Sequence, residues 1–196
     1  MKHEINTIDN THGICQVATV QLDIKDASLY GINFVKPDGK LAGCTIVHSS
    51  IGSPERWIFS ILEHALKQQV HQLPLWLSPV QVRVIPVSEE RFLPQSMNLA
   101  LELRKVGIRA DVDDRSNPLG WCIRAAEREW SSFVVVLGEK EIEGEKLSLR
   151  VRGQKEIEQC SLHNLIQRVQ NGMQGMPFRQ LPWLQLSKRP VFRFAN

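Results

Sequence analysis

The sequence predicts an α/β chain in two parts, an antiparallel-sheet piece followed by an α/β unit with a mixed, mostly parallel sheet. Three observations predict it. Up to about residue 75, strand-like runs are punctuated by turn residues and end in one long amphipathic helix. The segment HQLPLWLSP then breaks the pattern with two prolines. Beyond it, strands alternate with single helices, which is the pattern of right-handed crossovers and hence of parallel pairing.

Each element has its own signal. KHEINTI is a first strand, DNTHG a turn, and ICQVATVQLDI, whose apolar residues partly alternate, a second strand. INFVK, the turn PDGK and LAGCTIVH read as a hairpin. SPERWIFSILEHALKQQ is a helix with Ser53 as N-cap and Pro54 at its first position. Its apolar stripe is Trp57, Ile58, Ile61, Leu62, Ala65 and Leu66. Trp76 and Leu77 are expected to pack between the two parts. VQVRVIPV is a strand, a helix runs from about Pro94 to Val106, and IRADVD is the next strand. Asn117 is expected to cap a helix with Pro118 at its first position, ending near Trp130. SFVVVLG is continuously apolar, as a central strand buried on both faces should be. KLSLRVR is a further strand and SLHNLIQRVQN the last helix. From GMQGMPF on, glycines, prolines and aromatics predict an extended tail over the surface.

The composition, 42% apolar and 23% charged over 196 residues, belongs to an ordinary folded chain and excludes disorder and collagen. No apolar run is long enough to span a membrane, and MKHEINTIDN lacks the apolar core of a signal peptide. Cys15, Cys44, Cys122 and Cys160 form no CxxC pair, so reduced, buried thiols are expected. The net charge is +3, unevenly spread. Residues 1–75 hold six Lys/Arg against seven Asp/Glu, and residues 76–170 hold fourteen of each. The tail carries Arg179, Lys188, Arg189 and Arg193 with no acid. That excess suits a polyanionic partner without requiring one.

Several residues could carry chemistry. Arg56 sits in the first turn of its helix, where the dipole already supplies positive charge. It is either aimed at an anion or paired with Glu55 or Glu63. His48 closes a strand just before that turn. A zinc site needs three or four ligands, and no other residue stands at ligand spacing, so a structural role is equally open. Gln21 and Asp23 share one face of a strand. Asp111, Asp113 and Asp114 precede Arg115, as either a cation site or pairing partners. Lys140, Glu141, Arg150 and Arg152 flank one β-connection. Arginines there can meet phosphates or guanine edges, glutamate can accept from a base amine, and a salt-bridged surface hairpin is the alternative. No GxSxG, GxxxxGK[ST], HExxH or GxGxxG occurs.

Four stretches in register resemble the C-terminal part of the threonyl-tRNA synthetases, the archaeal form above all. TVQLD with HSSIGSPERW is similar to motif 3 of a class II catalytic domain, and LPLWLSPVQVRVIPVSEE to the entry into the anticodon-binding domain. GIRADVDDRSNPLGWCIRAAEREW with VVVLGEKEIEGEKLSLRVRG resembles that domain's centre, and GMPFRQLPWLQLSKRP the archaeal ending. The resemblance implies residues 1–75 as the motif 3 piece of the catalytic domain. It implies residues 76–196 as a three-layer α/β anticodon-binding domain with a basic tail. It implies that Arg56 faces ATP phosphates with Gln21 at the substrate, and that His48 is one zinc ligand. Ser116, Asn117, Lys140, Glu141, Arg150 and Arg152 would be tRNA-contacting positions. It further implies tRNA(Thr) as partner, neither DNA nor membrane, and a cytoplasmic setting.

Two departures accompany the likeness. Val17-Ala18 replaces the family's cysteine-glycine pair, and Ser49 and Ser50 stand where larger residues are common. The expected motifs 1 and 2, with the remaining zinc ligands and the second ATP clamp, are not in this sequence. The chain alone is therefore expected to be catalytically incomplete, with neither ATP nor zinc held by it alone. It is expected to work with the rest of a synthetase or with a separate catalytic or editing chain. An accessory, protein-interacting module is the alternative.

Overall fold

The computed structural model describes residues 1–144 and 146–190, so Arg193 and the last part of the expected tail lie outside the described residues. The chain divides into two compact units, Met1–Gln69 and the part from Val70 on. The division falls earlier than the change in sequence style, because the segment after Gln69 packs on the second unit. Leu75 joins the core there, and Arg109 donates from Nε to the Ser78 carbonyl at 2.9 Å and from Nη2 to the Trp76 carbonyl at 2.7 Å.

The first unit is a three-stranded antiparallel sheet in the order β1 (Lys2–Ile8), β2 (Ile14–Asp23), β5 (Ile46–Ser50). Asp9 builds the β1–β2 turn, its Oδ1 accepting from the Thr11 and Gly13 N–H groups at 2.8 and 2.7 Å. A short helix, α1 (Asp26–Leu29), follows β2. The predicted hairpin splits. Asn33–Val35 (β3) pairs with Leu41–Gly43 (β4), while IVHSS leaves it and pairs with β2 instead. Helix α2 (Pro54–Leu66) starts as expected, with Ser53 Oγ accepting from the Arg56 N–H at 3.4 Å and Pro54 in its first turn. Burial is sparse in this unit: Val17, Ala18, Ala27 and Ala65 are its buried apolar residues, while Val20, Leu22, Val47 and Ile58 are exposed.

The second unit is layered. Its sheet runs β10 (Ile157–Cys160), β9 (Leu147–Val151), β8 (Phe133–Leu137), β6 (Val82–Pro86), β7 (Ala110–Val112). β6 pairs in parallel with β7 and β8, and β9 runs against β8 and β10, so four of the five strands point one way. Alternation divides the faces. Val82, Val84, Ala110, Val112, Val135, Leu147 and Leu149 pack with Leu99, Ala100 and Leu103 of α3 (Glu89–Lys105) and with Leu165 and Val169 of α6 (Leu162–Asn171). On the other face, Ile85 and Val134 pack with Cys122 and Ala126 of α4 (Leu119–Arg128). Fully burying each Val or Leu is worth about 1.5–3 kcal/mol.

Two boundaries and two short elements differ from the sequence reading. α3 begins at Glu89 rather than Pro94, because burying Phe92 draws in a further turn and Pro94 costs one backbone hydrogen bond. Pro118, not Asn117, occupies the cap of α4. Both α5 (Glu139–Glu143) and β10 went unread, being short and polar. The tail does lie along the sheet edge. Val112 forms a parallel bridge with Gln185, and Ser187 in a 3-10 turn donates its N–H to Asp114 Oδ1 at 2.8 Å.

A charged network runs through the second layer. Arg83 on β6 is wholly buried and grips Asp111 of β7 with Nε at 2.9 Å and Nη2 at 2.7 Å. The same Nη2 reaches Glu129 at 3.1 Å, and Arg189 of the tail meets Glu129 at 2.7 Å. Burial works against the Arg83 charge, but Asp111 and Glu129 outweigh it and hold its pKa above the ordinary value. Asp111→Asn, which leaves a buried guanidinium short of a carboxylate, should cost about 3–5 kcal/mol in urea unfolding. The pair Arg83→Met with Asp111→Leu should cost less than either change alone. Glu129 supplies a pH test. Burial raises its carboxyl, but Arg189 and Arg83 outweigh this and hold it below its ordinary value. The stabilisation is complete above the unfolded value near 4.5 and is lost as pH falls through the folded one. The melting temperature should therefore fall between about pH 5 and pH 3, and Glu129→Gln should flatten part of that fall.

Candidate nucleic-acid interface

The α4 side of the sheet is covered only in part. Helix α4 packs over β6 and β8, and among the described residues no helix covers the matching face of β9 and β10. Alternation along β9 puts Leu147 and Leu149 into the core and Ser148 and Arg150 on this open face, with Arg152 continuing the row. Antiparallel register places Ile157 beside Arg150 and Gln159 beside Ser148.

Short α5 brings Glu141 to one end of the row. Glu141 Oε2 accepts from the Gly138 N–H at 3.0 Å, closing the helix start, and its Oε1 accepts from Ser148 Oγ at 2.5 Å. Gln159 Nε2 donates to the same Ser148 oxygen at 2.9 Å. Lys140, Glu141, Lys146, Ser148 and Gln159 thus line one hollow. Arg150 and Arg152 line another at the opposite end, with no ion pair to Glu141 among the described residues. The structure therefore brings the four expected residues onto one face, but at two stations rather than in one cluster. Such a face offers cations for phosphates and a fixed carboxylate for a base amine.

Ser116 and Asn117 stand elsewhere, in the loop after β7. The connections from β6 and β7 pass to opposite faces of the sheet, so the crevice between them is a topological switch point, where open α/β sheets bind ligands. That crevice is lined by Val87, Ser88, Glu89, Arg115, Ser116 and Asn117. Ser116 Oγ donates to Glu89 Oε2 at 2.5 Å. Arg115, gripped by Asp113 with both nitrogens at 2.7 Å, lies 4.7 Å over the half-exposed Trp121 ring. The three aspartates are engaged one by one: Asp111 with Arg83, Asp113 with Arg115, and Asp114 with Ser187. This answers the pairing alternative for them. Sequence reading missed Arg115 and Trp121 as a stacked pair, and Gln159. The GW dipeptide opening α4 was the only signal for Trp121.

In the first unit, the β2–β5 register sets Gln21 directly opposite His48. Gly52, at φ +80°, lets the chain turn from β5 into α2 beneath the Val17 carbonyl. A Cβ there would stand 2.0 Å from that oxygen. Arg56, exposed, donates from Nη1 to the Gln16 carbonyl at 2.9 Å rather than pairing with Glu55 or Glu63. Gln16 lies five residues from Gln21, roughly 17 Å along the strand, so Arg56 is not gathered with Gln21 and His48. Among the described residues no three His, Cys, Asp or Glu side chains come together to hold a metal. His48 therefore does not make a zinc site with the residues around it. Of the cysteines, Cys122 alone is buried, its thiol pushed up to about 11 by burial, while Cys15, Cys44 and Cys160 are partly exposed. Among the described residues no helix is long and apolar enough to cross a membrane.

Comparisons with known proteins bear on the family and the fold. The family described as "Anticodon binding domain" matches residues 81–172. Threonine–tRNA ligase of Thermococcus onnurineus is 40% identical over 98% of this chain, and that of Methanosarcina barkeri is 37% identical over 98%. The chain spans 32% and 31% of their lengths. The RNA-binding domain of threonyl-tRNA synthetase from Cryptosporidium parvum superposes with a TM-score of 0.71 at 28% identity. It covers 90% of this chain and 43% of that one. Residues 81–172 therefore belong to the anticodon-binding domain family, and the chain as a whole is homologous to the threonine–tRNA ligases, of whose length it spans about a third.

Proposed function

We propose that the second unit reads the anticodon of tRNA(Thr) as part of a threonine–tRNA ligase. The observation that carries the reading is the open face of β9 and β10, with Arg150 and Arg152 at one station and Lys140 and Glu141 at the other. Unpaired anticodon bases offer edges to such side chains and rings to aromatics. The switch-point crevice, with Ser116, Asn117 and the Arg115–Trp121 stack, supplies a third contact.

The first unit is, on the same reading, the motif 3 end of a class II catalytic domain. Arg56 is its ATP-phosphate contact, Gln21 its substrate contact and His48 one zinc ligand. Zinc supplies Lewis-acid recognition of threonine in the full enzyme, and the chain's own residues contribute His48 alone to it. Arg56 would have to release the Gln16 carbonyl to meet a phosphate. The setting is cytoplasmic. A second reading, an accessory module working with a separate catalytic or editing chain, draws support from the exposed Val20, Leu22, Val47 and Ile58.

An anticodon stem-loop of tRNA(Thr) should bind the full chain, with log K falling linearly against log salt. Arg150→Glu and Glu141→Lys should each weaken cognate binding by about 1–3 kcal/mol, and Glu141→Lys should also reduce preference over other anticodons. Equal affinity for every stem-loop, before and after these changes, would count against the assignment. A gel shift with total tRNA showing no complex at low salt would favour the accessory module.

A further inference from the structure

Trp130 adopts a backbone conformation that suits glycine. Its φ is +57°, and it stands just past the end of α4. There the Trp130 N–H donates to the Glu127 carbonyl and the Ser131 N–H to the Ala126 carbonyl, both at 3.1 Å. This double closure is a Schellman end, whose left-handed position glycine fills without strain. Strain held in a packed structure points to a use for the side chain that bears it. The ring is the difference. The Arg152 guanidinium carbon lies 5.8 Å from its centroid and the His71 ring 6.0 Å away. Arg152 is further anchored by donating Nε to the His71 carbonyl and Nη1 to the Glu127 carbonyl at 2.6 Å. Among the described residues, no hydrogen bond uses its Nη2.

An independent observation lies next to this corner. A cleft of about 250 Å³ is lined by Val70, Ile123, Glu127, Ser131, Arg150 and Arg152. Ser131 is 4% exposed, and among the described residues neither its Oγ nor the buried Arg150 Nε has a hydrogen-bond partner. Buried donors left unpaired are costly, so the cleft suits a group that brings acceptor oxygens. Two guanidiniums against the Glu127 carboxylate leave one net positive charge. That suits a singly charged phosphodiester better than a dianionic free phosphate.

We propose that Trp130 is a positioning residue that aims Arg152, beside Arg150 and Ser131, at a phosphodiester of the bound RNA backbone. The inference rests on the tRNA-binding reading above. Phosphate contacts fix the register of a strand and carry no sequence information, so this corner sets how RNA lies along β9. The bases are read from the Glu141 end.

The test is Trp130→Gly, which keeps the helix closure and removes the ring, beside Arg152→Gln and the double variant. Full chains are titrated with the tRNA(Thr) anticodon stem-loop over about 50–200 mM KCl, and each is melted. Trp130→Gly should melt no lower than the parent and bind roughly tenfold more weakly, with a salt slope shallower by about 1. Arg152→Gln should give the same loss, and the double variant no more than either. Inorganic phosphate should compete no better than chloride at equal ionic strength. Parental affinity and slope in Trp130→Gly would overturn the proposal, as would fully additive losses, or a lower melting point with an unchanged slope. Strong competition by inorganic phosphate would overturn the phosphodiester assignment. A parent chain that binds no RNA would overturn the tRNA reading and this proposal with it, which Trp130→Gly alone cannot do.

Discussion

Arg83 holds a full charge at the centre of the second unit, and the arrangement around it follows from keeping that charge paired. A buried guanidinium is tolerable only with carboxylates at hydrogen-bond distance. Asp111 supplies one from β7, which fixes the β6–β7 register side by side. Glu129 supplies another from the end of α4, and Arg189 of the tail balances it in turn. One side chain thereby ties together two strands, the helix layer over them and the tail at the sheet edge. An apolar residue at position 83 would bury as well, but it would take away the guanidinium that anchors the Glu129 carboxylate on which the tail's Arg189 rests.

The same network shapes the open face. Glu129 is the capping residue of α4, so the Arg83–Glu129 contact fixes where that helix ends. The chain then turns through Trp130 and Ser131 into β8, at the sheet end where Arg150 and Arg152 stand. α4 stops short of β9 and β10, whose open face carries Ser148, Arg150 and Gln159 beside Ile157, where β6 and β8 carry Ile85 and Val134. The fold lays one helix over part of a sheet face and leaves polar side chains of β9 and β10 open beside it. A charged core and an unfinished outer layer are therefore two ends of one construction.

Much of this was legible in residue pattern. SFVVVLG is apolar on both faces because β8 is sandwiched between layers, and βαβ spacing gave the parallel pairs. Ser53, Pro54 and the apolar stripe of α2 follow helix rules directly. Where reading failed, tertiary contacts had overridden local signals. Pro94 is usually a helix start, yet burial of Phe92 extends α3 ahead of it. VQVRVIPV hides its arginine among valines, and nothing local says that the partner is Asp111, 28 residues away. β10 and α5 are short, polar and dictated by pairing with β9. The cluster of Lys140, Glu141, Arg150 and Arg152 was readable as a group. Its division into two stations was not, since that depends on which end of β9 each residue occupies.

The first unit poses the opposite problem to the second. Its sheet and helix bury few apolar side chains, while Val20, Leu22 and Val47 on the paired strands and Ile58 on α2 face outward. A sheet with exposed apolar positions and unpaired edge strands is not a finished layer, since both features are what native proteins ordinarily cover. The residues with chemical promise share that incompleteness. Gln21 and His48 face each other across β2 and β5, no three metal-binding side chains gather among the described residues, and Arg56 rests on the Gln16 carbonyl. Exposed apolar positions have one physical remedy, apolar surface packed against this sheet.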